Sequence, residues 1–248
     1  MENYLNYLVQ WLEVQRQEYG AKGYVVGISG GIDSAVVTHL LMRCNAPVQG
    51  LILPSETTSA QDIKDAYAVA ENANCPVLEV PIIETYRSFM HSMQPLFNDQ
   101  AERQNVIAGN VQARLRMISL YAYAQSHNAI VVGTDNAAEW HTGYFTKFGD
   151  GGVDVAPLLH LRKEQVYQLA KVLNVPQSVL DKSPSAGLWL GQTDEAEMGV
   201  SYQEIDAFLR GETVSEQALK QIEFWHNRSH HKRRLPPTPL SFDDYNSK

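Results

Sequence analysis

Four short apolar runs, residues 24–28, 47–53, 76–80 and 129–133, are spaced along the first 133 residues of the chain. Each is rich in Val, Ile or Leu, and the first three are continuously apolar rather than alternating over most of their length. That pattern marks strands covered on both faces, as in a parallel sheet. The stretches between them carry apolar residues at helical spacing. Residues 2–19 place Leu5, Leu8, Val9 and Leu12 on one side of a helix that Gly20 and Gly23 end. Ser59-Ala60-Gln61-Asp62 reads as a capping box, with residues 63–72 continuing as helix. Residues 81–91 predict another helix, and 99–127 a long one interrupted at Gly109.

Beyond the fourth strand the periodicity changes. Residues 141–157 form a loop rich in Gly and Asp. Residues 162–173 predict a helix stopped by Asn174 and Pro176, and 182–200 read as irregular. Ser201 to Glu204 is a second capping box ahead of residues 205–209, and 215–227 form the last helix. The tail, 235–248, contains three prolines and is expected to be extended. Strands alternating with helices predict an α/β fold: a doubly wound, Rossmann-like parallel sheet with right-handed crossovers, flanked by helices. Neither a repeat nor a shift of composition divides the chain, so 1–248 is read as one domain. Ligands on such sheets bind beyond the carboxyl ends of the strands. Residues 29–35, 54–60 and 133–154 all fall at that edge.

The first of these segments carries the strongest chemistry. Ser29, Gly30 and Gly31 make a tight turn after the first strand, and Asp33 and Ser34 open a helix. Free N–H groups and the positive end of the helix dipole converge there, which suits an anion. The loop lacks the lysine of a Walker sequence and the spacing of a dinucleotide fingerprint. Ser29 and Ser34 offer hydroxyls instead. A carboxylate at Asp33 beside phosphates makes sense if a divalent cation lies between them.

Composition narrows the classes. An apolar share of 44% and a charged share of 19% over 248 residues are those of a globular domain with a full core. A net charge of −8 argues against a general nucleic-acid binder. No apolar run approaches the ~20 residues of a membrane helix, and no leader pattern opens the chain. Cys44 and Cys75 make no C-x-x-C pair, so the reading is a small buried role for each in a reducing cytoplasm.

Two further motifs sharpen the site. In Gly109-Asn110-Val111-Gln112-Ala113-Arg114-Leu115-Arg116-Met117, Asn110 and Arg114 share a helix face with Tyr121. An amide, a guanidinium and a phenol in line suit an anionic, aromatic substrate, although a solvated helix side reads equally well from spacing. In Gly133-Thr134-Asp135-Asn136-Ala137-Ala138-Glu139 a strand ends and Glu139 follows about one turn later. Glu139 is then either a surface acid or a second carboxylate facing Asp33 across the sheet edge, the pair holding Mg²⁺.

Ser29-Gly-Gly-Ile-Asp-Ser34 resembles the pyrophosphatase loop of adenine-nucleotide alpha-hydrolase-like enzymes. Taken with residues 109–117, 133–139, 142–152 and 182–195, and with His230-His231-Lys232-Arg233, the order and spacing over 24–234 resemble the ammonia-dependent NAD synthetases. The resemblance implies ATP-dependent adenylylation of deamido-NAD on its nicotinate carboxylate, then displacement of AMP by ammonia to give NAD⁺. It implies ATP contacts at Gly27, Ser29, Gly30, Gly31, Ser34, Thr134, Lys163 and Ser185. Asp33 and Glu139 are implied as Mg²⁺ ligands, and Asp33, Lys163 and Asp150 as catalytic groups. Asn110, Arg114, Tyr121, Tyr144, Lys147, Asp150, Asp154, His231 and Lys232 are implied to line the deamido-NAD site, and a homodimer is the family's usual state. Residues 184–188 are Pro-Ser-Ala-Gly-Leu where many members have Pro-Thr-Ala-Asp-Leu, and Ile52 stands where some place an arginine.

Glutamine-dependent relatives carry an added amidase domain with a cysteine nucleophile. Neither cysteine here has such a context, so free ammonia is the expected nitrogen donor. A tRNA-thiolating relative would call for cysteine pairs or a basic RNA face, which the sequence lacks. A non-catalytic nucleotide-binding module would not need Glu139, Lys163 and the 109–117 string.

Overall fold

The structure, a computed structural model, describes residues 1–97, 104–185 and 193–246. Its first helix, α1 (Glu2–Glu18), buries Leu5, Leu8 and Leu12. The strands β1 (Gly23–Gly27), β2 (Val48–Ile52), β3 (Val77–Glu79) and β4 (Ala129–Val131) form one sheet in the order β3-β2-β1-β4, with every pairing parallel. The helices α2 (Ile32–Leu41), α3 (Ala60–Asn72), α4 (Ile83–Met93) and α5 (Gln104–His127) make the connections. The chain runs outward from β1 to β3, then crosses back through α5 to place β4 on the other side of β1. The topological switch point therefore lies between the carboxyl ends of β1 and β4.

Strand alternation explains why both faces are covered. Tyr24, Val26, Ile130 and Val132 point into the main core, with Leu5, Leu8, Val36 and Leu40. Val25, Leu51 and Val131 point the other way, with Ala124 of α5. The helix α7 (Lys163–Val172) packs on α2 and adds Val166 and Leu169 to the main core. A separate apolar cluster is built by α6 (Ala137–Thr142), α9 (Asp194–Met198), α10 (Tyr202–Leu209) and α11 (Glu216–Arg228), around Met198, Ile205 and Ile222.

The expected α/β architecture is observed, and both capping boxes close. Ser59 with Asp62 and Ser201 with Glu204 each satisfy the helix start reciprocally. Three readings differ. The long helix is unbroken at Gly109, which is buried within α5. Tertiary packing there outweighs the roughly 1 kcal/mol that glycine costs a helix. The segment read as irregular contains α9, which ends at Gly199 with φ 68°. The tail contains α12 (Phe242–Asn246), started by the Ser241 hydroxyl accepting the Asp244 N–H at 3.1 Å. Two short helices, α6 and α8 (Gln177–Leu180), also lie within stretches where no full periodic repeat can show. The altered motif at 186–188 lies outside the described residues.

Candidate active site

A cavity of about 670 Å³ opens at the switch point. Its floor is the turn between β1 and α2. The Ser29 hydroxyl accepts the Gly31 N–H at 3.2 Å, and the Ser29 and Ser34 hydroxyls are 3.1 Å apart. Ser34 Oγ also accepts the Ser29 N–H at 3.2 Å and donates to Gly31 O at 3.0 Å. The turn is thus held open by its own side chains. Gly30 has φ +78°, and a Cβ there would stand 2.5 Å from the Asp62 carbonyl oxygen. Gly30→Ala is expected to cost at least the roughly 1–3 kcal/mol of a left-handed non-glycine residue. A fall in melting temperature of about 5 °C or more, read by thermal denaturation, checks it.

Across the cleft, Asn136 caps α6 by accepting the Ala138 and Glu139 N–H groups. Its amide donates to Asp33 Oδ1 at 3.0 Å, and its own N–H donates to Glu139 Oε2 at 2.9 Å. One asparagine therefore fixes both acids. Between them stands Lys163, 3% exposed, whose Nζ is 2.6 Å from Asp33 Oδ2 and 3.4 Å from Glu139 Oε1. Burial works against this ammonium, but Asp33 and Glu139 overcome it and hold its pKa above the usual range. Burial pushes the Glu139 carboxyl up to about 7 against the pull of Lys163, and Asp33 adds to the rise. The cluster is short of positive charge.

A second layer positions Lys163. Asp206 on α10, itself buried, accepts the N–H groups of Lys163 at 3.0 Å and Glu164 at 2.8 Å, capping α7 from a distant segment. The Tyr202 ring lies 4.7 Å under Nζ, and its hydroxyl reaches Glu139 Oε1 at 3.2 Å and Asp194 Oδ2 at 2.9 Å. At the opposite wall Arg116 donates to Leu53 O at 3.1 Å and Ser55 Oγ at 2.9 Å, tying the loop after β2 to α5. Burial lowers its pKa to about 10. Lys182 is ion-paired with Asp62 and Asp65 beside the glycine turn. The sequence reading named none of Arg116, Asn136, Lys182, Asp194, Tyr202 and Asp206 as site residues. Only Asn136, an N-cap type three residues before Glu139, carried a local signal.

Of the residues singled out from sequence, Gly27, Ser29, Gly31, Asp33 and Ser34 line the cavity from β1, while Gly30 shapes the turn. Thr134, Glu139, Lys163 and Ser185 line it from the other side. Asn110 faces it and accepts the Thr146 hydroxyl at 2.7 Å. Asp150, near by, accepts the Thr146 N–H at 3.0 Å. Tyr144 lines it with its hydroxyl 2.6 Å from Glu197. His231 and Lys232 close one side, Lys232 donating to Gly143 O at 2.7 Å. Four residues stand outside this lining. Arg114 is exposed and donates to Lys147 O at 3.3 Å, and Lys147 donates to His231 O at 2.7 Å. Tyr121 donates to Asp154 Oδ1 at 3.0 Å, and Asp154 Oδ2 accepts the Val131 N–H at 2.7 Å.

The family profile described as NAD synthase matches residues 4–236. The chain belongs to the NAD synthase family. It is 64% identical to the NH(3)-dependent NAD(+) synthetase of Mannheimia succiniciproducens, over 97% of each chain. Among solved structures, the NMN synthetase from Francisella tularensis superposes with TM-score 0.92 at 54% identity, over 96% of this chain and 98% of that one. The NAD+ synthetase from Burkholderia pseudomallei gives TM-score 0.76 at 30% identity, over 95% and 90%. As an NAD synthase family member the chain is a carbon–nitrogen ligase with ATP as co-substrate. The reaction amidates deamido-NAD with ammonia, and the expectation drawn from sequence holds. Among the described residues no helix is long and apolar enough to cross a membrane.

Proposed function

We propose that the larger cavity holds ATP on the 29–34 turn, with the nicotinate carboxylate aimed at its alpha phosphate from the side of Asn110, Tyr144 and Asp150. The observation that carries this reading is the Asp33–Lys163–Glu139 cluster at the switch point, beside a turn and helix N-terminus suited to phosphate. Two carboxylates converge on one ammonium, yet Glu139 stays raised toward neutrality. Among the described residues no group of three or more His, Cys, Asp or Glu forms a closed metal cage. Two oxygens from the protein and the rest from phosphate and water is the donor set Mg²⁺ prefers, so Asp33 and Glu139 fit it. Bound there, Mg²⁺ supplies charge neutralisation at the phosphates.

The chain's own groups do the remaining work. Lys163 presents a fixed positive charge where the α–β bridging oxygen of ATP takes up negative charge as pyrophosphate leaves, and the α2 dipole adds to it. Ser29, Ser34, Thr134 and Ser185 give hydroxyl contacts to ATP. Tyr144 offers a ring for the nicotinate to stack on. Lys232 and His231 close the cavity from the carboxyl-terminal side and keep water from the mixed anhydride. We further propose that the whole chain acts as one domain, in the cytoplasm, as a homodimer. The two cysteines are free, which suits a reducing compartment. Exposed Val106 and Ile118 on α5, with Phe89 on α4, supply apolar surface for a dimer. Purified protein given ATP, Mg²⁺, deamido-NAD and ammonium should release AMP, pyrophosphate and NAD⁺ in equal amounts. Glutamine in place of ammonium should give none; equal turnover with glutamine would overturn the ammonia assignment.

A second reading concerns substrate length. The Francisella protein, 54% identical, is described as an NMN synthetase. Arg114, Tyr121, Lys147 and Asp154, implied to hold the dinucleotide, stand outside the larger cavity. Nicotinate mononucleotide presents the same carboxylate without the distal adenylyl unit, and we propose that it is also a substrate. Comparing kcat/KM for the two acids decides it. Arg114→Ala is expected to raise KM for deamido-NAD and leave that for the mononucleotide within about twofold. Equal effects on both would remove the distinction.

A further inference from the structure

Behind the end of β4 lies a second cavity, of about 200 Å³. It exists because Val132 bridges to Val155 and the Gly133 N–H donates to Val155 O at 2.8 Å, which folds residues 151–156 alongside the strand. Its apolar wall is Trp140, Val155, Ala156 and Leu159. It meets the larger cavity at Gly133, Asp135 and Val153, which line both. The contact is close, since a Cβ on Gly133 would lie 2.8 Å from the Val153 side chain.

The two cavities differ in charge. The larger is lined by Arg116, Lys163, Lys182, Arg228 and Lys232 as well as acids. The smaller, among the described residues, is lined by no Lys or Arg and by two carboxylates, Asp135 and Asp154. Both oxygens of Asp154 are engaged, by Tyr121 and the Val131 N–H. Asp135 lies at the junction. Burial there, followed by the charges of Asp150 and Glu139, drives its carboxyl well above the ordinary range, a cost to the charged form that a cation beside it relieves. A phosphate-bearing ligand finds no cationic partner in such a cavity. Its volume is below the roughly 300–1,000 Å³ of pockets that take drug-sized ligands, yet ample for particles the size of water. A small monovalent cation fits on both counts.

We infer that the smaller cavity is an ammonium-recognition and entry site, with Asp135 as the carboxylate that receives the cation at the junction with the reaction cavity. This rests on the amidation reading above. There, ATP and the nicotinate nucleotide fill the larger cavity from its open side, and the ammonium has to arrive after they are seated and leave its proton on the Asp135 carboxylate, since only neutral ammonia has the lone pair that attacks. A rear entrance sized for ammonium admits it without reopening the site to bulk water.

The test is steady-state kinetics with ammonium chloride as the varied substrate. Ala156, half-buried and outside the catalytic cluster, is replaced by Phe to fill the smaller cavity. Ammonium KM should rise at least about fivefold, with kcat at saturating ammonium and KM for ATP and nicotinate nucleotide within about twofold. Asp135→Asn keeps the volume and removes the group that ionises beside a cation, and should raise ammonium KM about tenfold. It carries the same criteria if Ala156→Phe loses its cooperative thermal transition. An unchanged ammonium KM would overturn the inference, because ammonia would then enter by the nucleotide mouth. An equal rise in nucleotide KM would also overturn it, assigning the cavity to the nucleotide. Absence of any ammonium-dependent amide formation by the unaltered protein would instead defeat the underlying reading.

Discussion

Replacing Lys163 with Met should reduce kcat by roughly 10²–10³-fold, the usual cost of losing one preorganised electrostatic partner of the transition state. Methionine keeps the length and the contact with the Tyr202 ring but removes the charge. Asp33 and Glu139 then confront each other without a cation. Removing one member of a buried ion pair typically costs about 3–5 kcal/mol, because the charges left behind are unpaired. Here Glu139 can take up a proton, which limits the loss toward the lower end. The measurement is single-turnover formation of AMP with ATP and nucleotide saturating, alongside a thermal melt. A variant with normal AMP formation and lowered stability would leave Lys163 a purely structural residue.

Asp33→Asn should have an effect of similar size, with a different signature. The amide has one oxygen to accept with, so it keeps only one of the bonds that Asn136 and Lys163 donate to Asp33, and it gives up the charge that makes Asp33 a ligand for a hard cation. Turnover at saturating Mg²⁺ is expected to fall about a hundredfold, and the Mg²⁺ concentration for half-maximal rate to rise about tenfold or more. Like Lys163→Met, this change breaks the buried pair, but Glu139 remains as a counter-charge to Lys163, so the loss of stability should be the smaller of the two. Wild-type Mg²⁺ dependence would remove Asp33 from the metal site. Together the two variants separate phosphate charge neutralisation by the lysine from that by the metal.

Much of this arrangement was legible in the sequence where a local rule was strong. The turn from Ser29 to Ser34 announced itself because glycines, hydroxyls and an acid fall between an apolar strand and a helix. The sheet was legible because β1, β2 and β4 are apolar and covered on both faces, while β3 at its edge leaves Leu78 and Glu79 exposed. Glu139 faced Asp33 as one of two open readings. What stayed hidden was set by partners distant in sequence. Asp206 caps α7 from 43 residues away, and nothing around it marks it as other than a helix residue. Arg116 looked like one more basic residue on a long helix until the loop after β2 was seen folded onto it. Gly109 misled because a glycine inside a helical pattern normally weakens it, while here burial decides. The outward placement of Arg114 and Lys147 was equally invisible, since helical spacing gives a shared face but not what that face meets.

The reach of Asp206 has a consequence for how the molecule fails. The helices around Met198, Ile205 and Ile222 bring Glu139, Asp194 and Glu197 to the cavity, and through Asp206 they also hold the end of α7 from which Lys163 projects. Loosening that carboxyl-terminal cluster would let the lysine drift while the sheet and its phosphate turn stay intact. Partial denaturation should therefore yield a species that still captures ATP but no longer cleaves it.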